Sequence, residues 1–295
     1  MRVTFSQIQG SLDAINIAAA QFARAQQQVA SGKRMQRPSD DPMGTERAIQ
    51  DTAAIGAIDA YSQASGTAAA RLSVLDGALS SMTDILTSAL ATATSGHGSN
   101  VDQITRDTAS VKLQGLRDAL AGTFNTSFQG VYVFGGTESL KQPYANTTGA
   151  WVYAGNSSAV RVDTSPNRTV ALSLDGEAIA KGSDATDVFA VFETLAAAVK
   201  AGDDAAVTTG IDALGRAFTR AVKAQSQVGT DESGLADGEV QLGSLRLAAT
   251  QRLSADQDVN MAQAITQMSR AQTAYQAALG AVGTASKSSL LDYMR

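Results

Sequence analysis

Apolar residues at Ile8, Leu12, Ile15, Ala19, Phe22 and Val29 follow one another at alternating steps of four and three, with Gln26 as the single polar interruption. Met261, Ile265, Met268, Tyr275, Leu279 and Val282 repeat the alternation further along, again broken once, at Gln272. This spacing keeps one stripe of a helix turned toward a partner helix, so both segments are predicted as heptad seams. Each covers 22 residues, and a helix of roughly 33 Å is marginal alone in water. Much of each seam is Ala, Gln or Met, so one pair of these helices buries little surface. Either the seams are ordinary amphipathic helices in the core of a monomer, or packing between molecules completes them.

Between the seams the pattern changes several times. Gly32, Pro38 and Pro42 interrupt the first helical period, which predicts a stop near Ser31 and an irregular connection after it. Asp41 before Pro42 reads as an N-cap followed by a proline at the first helical position, and Glu46 adds negative charge near that start. A long helix with Ala68, Leu72, Leu75, Leu79, Met82 and Leu86 on one stripe then runs to the turn Ser95-Gly96-His97-Gly98-Ser99-Asn100. Ala109, Leu113, Leu116 and Leu120 fold back from it as an antiparallel helix. From about Gly130 to Gly182 the period is that of strands: Val131 to Phe134, Trp151 to Tyr153, Val160 with Val162, and Val170 to Leu174. Asn146, Gly149, Gly155, Asn156, Pro166 and Gly176 punctuate them as turns. Helical spacing returns at Val188, Phe192, Leu195 and Val199, and at Ile211, Leu214, Phe218 and Val222. A loop over Gly229 to Gly238 is predicted before a last long helix with Leu242, Leu245 and Ala249, whose stripe loses register at Arg252 and Asp256.

The expected fold is therefore mainly α: an elongated antiparallel helical bundle or coiled coil with both termini paired, plus a small inserted antiparallel β-rich domain. Residues 1–35 and 255–295 form the terminal coiled-coil region in this reading, 36–129 and 183–254 a helical rod, and 130–182 the β-rich insertion.

Composition narrows the function more than the fold. Hydrophobic residues make up 44% of the chain but aromatics only 5%, so the apolar content is mostly small and aliphatic, which favours helix. A formal net charge of -5 offers no basic surface for phosphates, which argues against nucleic acid and anionic membranes as partners. Cysteine is absent, and with it disulfides, thiolate metal sites and a Cys nucleophile. No stretch reaches the roughly 18 continuous apolar residues of a membrane-spanning helix, and residues 1–28 lack the continuous core of a cleaved signal peptide.

Candidate chemistry is sparse. Asp40 and Asp41 are the most conspicuous carboxylate pair, but their place before a helix start is what capping requires. His97, the single histidine, stands in a Gly/Ser turn, so any Ser-His-Asp arrangement depends on that one residue. Asp203-Asp204 and Asp256 with Asp258 do not continue into the ligand spacing of a calcium loop and read as acids at helix ends. Gln26 and Gln272 could specify register as lone polar residues in apolar seams.

Several motifs then point to one family. Ser31-Gly32-Lys33-Arg34 with Pro38-Ser39-Asp40-Asp41-Pro42, the stretch Gly130-Val131-Tyr132-Val133-Phe134-Gly135-Gly136-Thr137 with Pro143-Tyr144, and the segments Met268-Ser269-Arg270-Ala271-Gln272 and Ser289-Leu290-Leu291-Asp292-Tyr293-Met294 carry the likeness. In these the chain resembles the flagellin superfamily, and within it the hook-filament junction branch. The resemblance spans nearly the whole chain and implies a non-enzymatic structural subunit without cofactors, joining hook to filament by helical polymerisation through its terminal helices. It implies as partners the chain itself, a hook-side junction protein, filament flagellin and an export chaperone, with no nucleic acid and no membrane. Export through the flagellar type III apparatus, without a cleaved signal peptide, would place it outside the cell on the flagellum. The expected assembly interface is Ile8, Leu12, Ile15, Phe22, Gln26, Val29, Met261, Ile265, Met268, Gln272, Tyr275, Leu279 and Val282. Gly32, Pro38, Asp40, Asp41 and Pro42 form the connection motif. Competing readings are a filament flagellin, a coiled-coil adhesin whose β region stacks a glycan on Trp151, Tyr153 and Tyr144, and a hydrolase using His97 or the paired acids.

Overall fold

A computed structural model describes the backbone of residues 2–98, 100–147 and 149–293, and the side chains of 9–10, 12–98, 100–147 and 149–283. Ile8 and the segment Ser289 to Met294 therefore fall outside the described side chains. The described chain is mainly helical: α1 (Arg2–Ser31), α2 (Pro42–Ser95), α3 (Gln103–Phe124), α4 (Gly176–Ala180), α5 (Val188–Ala201), α6 (Asp204–Gln257) and α7 (Met261–Tyr293). Between α3 and α4 lie β1 (Ser127–Phe128), β2 (Val131–Tyr132), β3 (Tyr144–Thr147), β4 (Ala150–Tyr153), β5 (Arg161–Ser165) and β6 (Arg168–Ala171). They pair consecutively as three antiparallel hairpins. Two compact units divide the chain, one made of residues 1–57 and 244–295, the other of residues 58–243.

The central unit, 58–243, has the larger side chains inside it. Leu72, Leu75, Leu79, Met82 and Leu86 of α2 pack with Leu113, Leu120 and Phe124 of α3, and with Phe189, Phe192 and Leu195 of α5 and Leu214 of α6, in one cluster. Gly96 at the end of α2 approaches Ala109, whereas Met82 and Leu86 border the same small void as Leu120 and Phe124. That order is the antiparallel return expected of α3. Asp102, Asp187 and Asp203 cap helix starts by accepting the backbone N–H of Thr105, Ala190 and Ala206.

The strand region departs from expectation in detail. Val131 and Tyr132 pair with Phe128 and Ser127 across Gln129 and Gly130, both at positive φ (52° and 81°), a two-residue turn that matches strand twist. Val133 and Phe134 leave the ladder and are buried instead, their carbonyls accepting from the N–H of Leu174 and Gly176. Asn146, expected in a turn, sits in β3 opposite Trp151, and its Oδ1 accepts from Gly149 N–H to close the hairpin.

The predicted loop at Gly229 to Gly238 is overturned, because α6 runs unbroken through it. Val228, Leu235, Leu242 and Ala249 are all buried at intervals of seven, and that packed stripe outweighs the roughly 1 kcal/mol each interior glycine costs a helix. Gly234 also has a packing reason. The guanidinium of Arg168 donates to its carbonyl at 2.6 Å, in the space where a Cβ would lie.

Candidate assembly face

The unit of residues 1–57 and 244–295 holds all the expected interface and connection residues, and its local geometry begins with how α1 ends. Gly32 takes φ +68° just past the last turn of α1, the left-handed conformation glycine allows at no steric cost. The connection then folds on itself through one carboxylate. Asp40 accepts the backbone N–H groups of Arg37 (2.9 Å) and Gln36 (3.1 Å), which hold its carboxyl below the ordinary carboxylate range. Asp41 caps α2 by accepting Gly44 N–H at 2.9 Å and pairs with Arg34 at 3.1 Å, which lowers its pKa as well. The acids thus cap and cross-link, and Pro42 opens α2.

The break between α6 and α7 meets the same connection. Arg34 N–H donates to the carbonyl of Gln257 (2.7 Å) and Val259 N–H to that of Gly32 (2.9 Å), around a bridge between Lys33 and Asp258. Arg47 grips Asp256 through Nε and Nη2 at 3.1 and 3.0 Å, and Arg252 pairs with Asp51. The loss of apolar register at Arg252 and Asp256 is explained by these pairs: both side chains turn toward α2 as ions. Asn260 then caps α7 through the N–H groups of Ala262 and Gln263.

From this knot α1 and α7 run antiparallel, with Phe22 stacked on Tyr275 at 6.3 Å and 5° between planes. Residues turned inward are Ile15, Ala18, Phe22, Ala25 and Val29 on one helix and Ala264, Met268, Ala271, Tyr275, Ala278 and Val282 on the other, all buried or half-buried. Only alternate members of the expected seams lie here. Leu12, Gln26, Met261, Ile265, Gln272 and Leu279 are exposed, and Gln26, Ile265, Gln272 and Leu279 each stand one position after an inward alanine. The two glutamines therefore stand outside the contact between α1 and α7. The alanine heptad was visible in the sequence, but the larger residues beside it drew the stripe to themselves.

This unit has an unusual interior. Every hydrophobic residue described as buried in it is an alanine: Ala18, Ala25, Ala48, Ala249 and Ala264. Several of its larger apolar side chains, among them Leu12, Ile17, Leu245, Leu247, Met261, Ile265 and Leu279, are exposed, while Ile15, Phe22, Val29, Met268, Tyr275 and Val282 are half-buried. Small residues let two helices approach closely, and the large ones left outside make an apolar face.

The other candidate chemistry resolves into structure. Oδ1 of Asp204 lies 3.8 Å from His97 Nε2 and accepts Gly98 N–H, tying a turn to the start of α6. Among the described residues no group of three or more His, Cys, Asp or Glu side chains is placed to hold a metal ion. The glycan reading fails on burial. Tyr144 is only 1% exposed, packed between Phe124 (5.0 Å) and Phe189 (4.7 Å), and burial raises its pKa. Tyr153 donates its hydroxyl to the Phe134 carbonyl at 3.0 Å, and burial pushes its pKa up to about 12. Trp151 is half-buried against Phe189.

The family model for the bacterial flagellin N-terminal helical region matches residues 7–139, taking in α1, the connection, α2, α3 and the first hairpin. The chain is 25% identical over 291 residues to flagellar hook-associated protein 3 of Escherichia coli (strain K12), a match covering 91% of this chain and 92% of that one. In fold it is similar to a structure described as a flagellar hook-associated protein of Vibrio parahaemolyticus, with a TM-score of 0.70 and 20% identity over 74% of this chain and all of that one. A likeness of the same kind, with a TM-score of 0.61 and 14% identity over 72% of this chain and 100% of that one, joins it to the flagellar junction protein FlgL of Legionella pneumophila. Among the described residues no helix is long and apolar enough to cross a membrane.

Proposed function

We propose that this chain is a non-enzymatic structural subunit of the bacterial flagellum that joins hook to filament, polymerising helically through α1 and α7. The observation that carries the reading is that the fully buried hydrophobic residues described in the unit of residues 1–57 and 244–295 are alanines, while Leu12, Met261, Ile265 and Leu279 stand exposed. Such a unit gains little by folding alone and gains most when other copies cover it. A contact of this kind that does not close a ring generates a helical layer. The assembly face is Leu12, Met261, Ile265 and Leu279 with Gln26 and Gln272 among them. Ile15, Phe22, Val29, Met268, Tyr275 and Val282 hold the helix pair. The relatives named for hook association and for the flagellar junction support the position between hook and filament. On this reading the partners are further copies, a hook-side junction protein, filament flagellin and an export chaperone, and the site of action is outside the cell.

Electron microscopy of cells lacking the gene tests the reading. Hooks without attached filaments, restored by the native gene but not by Leu279→Asp, are expected, since a charge on a face buried in assembly is costly. Filaments attached as in the parent strain would overturn it.

A further inference from the structure

Two surfaces remain that the packing of α1 on α7 does not use. The first is a groove of about 600 Å³ in the unit of residues 1–57 and 244–295, between the connection and the start of α2. Met35, Pro38, Ile49 and Ala53 give it an apolar lining, and Lys33 and Arg37 add two cations to it. Ile49 is 64% exposed at its lip, which is unusual for a large aliphatic residue in a cleft that has room to cover it.

The second surface is a ridge on α3. Ile104 and Val111, seven residues apart and so on one face, are 77% and 68% exposed. They are the outward counterpart of the inward stripe of Ala109, Leu113 and Leu120. Asp107, three residues after Ile104 and four before Val111, is exposed on the same face, and Lys112 lines a shallow groove against α2 together with Ile104. A crest that carries Asp107 complements a groove lined by Lys33 and Arg37, and a β-branched pair about 10 Å apart along the helix axis can meet the apolar lining residues Met35, Pro38 and Ile49.

We infer that the α3 ridge of one copy docks in the groove of a second copy, with Ile104 and Val111 against Met35, Pro38 and Ile49, and Asp107 facing Lys33 and Arg37. The inference rests on assembly between copies as proposed above, and adds a contact separate from the α1 and α7 face. Apolar burial supplies adhesion, and pairing of Asp107 with Lys33 and Arg37 orients the contact. A directional contact between unlike surfaces is heterologous, and it repeats along a layer instead of closing on itself.

The absence of cysteine makes the test clean. Ile49→Cys and Val111→Cys are prepared as separate full-length proteins, mixed at high concentration, confirmed as assembled by sedimentation, and treated with a short bismaleimide. Cross-linked dimer is expected in the mixture and not in either variant alone. Arg37→Glu should remove it, and Arg37→Glu mixed with Asp107→Arg should restore at least half. All these positions are exposed, so circular dichroism of each monomer is expected to match the parent. Equal dimer in the single-variant samples, or none in a mixture that sediments as assembled, overturns the ridge and groove and leaves the terminal-helix assembly standing. A mixture that never sediments beyond monomer at any concentration overturns both.

Discussion

At the scale of single residues, the connection motif acts through carboxylates that bind N–H groups and arginines. Asp41 and Asp256 both have lowered pKa values, Asp41 first from Gly44 N–H and Asp256 first from Arg47. A carboxylate depressed below its unfolded value of about 3.9 adds stability above that pH, and adds none once pH has fallen through the folded value. Protection of the Arg34 and Val259 amides, which bond across the knot, is therefore expected to hold at neutral pH and fall below about pH 4. Asp256→Asn should show the acid level of protection at pH 7, measured by hydrogen exchange. An unaltered pH profile in that variant would mean that the backbone bridge stands without the ion pair. A similar arrangement in the central unit is less exposed. Arg220 binds Asp184 at 2.7 Å and donates to the carbonyls of Ile179 and Ala180 at the end of α4. Arg220→Ala leaves these acceptors without their charged donor, and should cost about 2 kcal/mol in urea unfolding.

At the scale of elements, the helix signals that were read correctly are those whose physics is local. Asp41 before Pro42 marks the start of α2, and Gly32 and the Ser95 to Gly98 turn mark ends, because caps and left-handed residues act within one turn. What was misread depends on partners far away in sequence. Gly229, Gly234 and Gly238 suggested a loop, yet buried Val228, Leu235 and Leu242 hold α6 helical through it. Tyr144 to Thr147 showed no strand alternation, and its pairing with Ala150 to Tyr153 follows from the aromatic cluster around Tyr144. The glycines of α6 differ in consequence. Gly229 has open space where a Cβ would go, so Gly229→Ala should stabilise the protein by about 1 kcal/mol. A Cβ on Gly210 would lie 2.8 Å from Leu195 Cδ1, a side chain with no exposure, so Gly210→Ala should destabilise despite the same helical gain. Urea midpoints of the two variants should move in opposite directions, and movement together would mean that packing around Leu195 yields freely.

At the scale of the molecule, the two units differ in what their interiors can contribute before assembly. The central unit closes over Phe124, Phe134, Tyr144, Phe189 and Phe192 together with a run of leucines. The other buries only alanines fully, with Ile15, Phe22, Val29, Met268, Tyr275 and Val282 half-buried, and an alanine brings far less apolar area than a leucine or phenylalanine. The ordering of α1 and α7 has to be offset by that small area and by the knot of ion pairs, which at the surface are worth little each. Local opening follows local stability. In dilute monomer, amides of residues 12–31 and 261–283 are therefore expected to exchange orders of magnitude faster than those of 72–90 and 188–199. On assembly the two sets should converge, because other copies would cover Leu12, Met261, Ile265 and Leu279. Met268→Ala and Phe22→Ala separate the two roles within the seams: each loosens the helix pair in the monomer while leaving the outward face chemically intact. Slow exchange over α1 and α7 in the dilute protein, equal to that of the central unit, would show that alanine packing and the knot suffice, and that assembly is not what stabilises these helices.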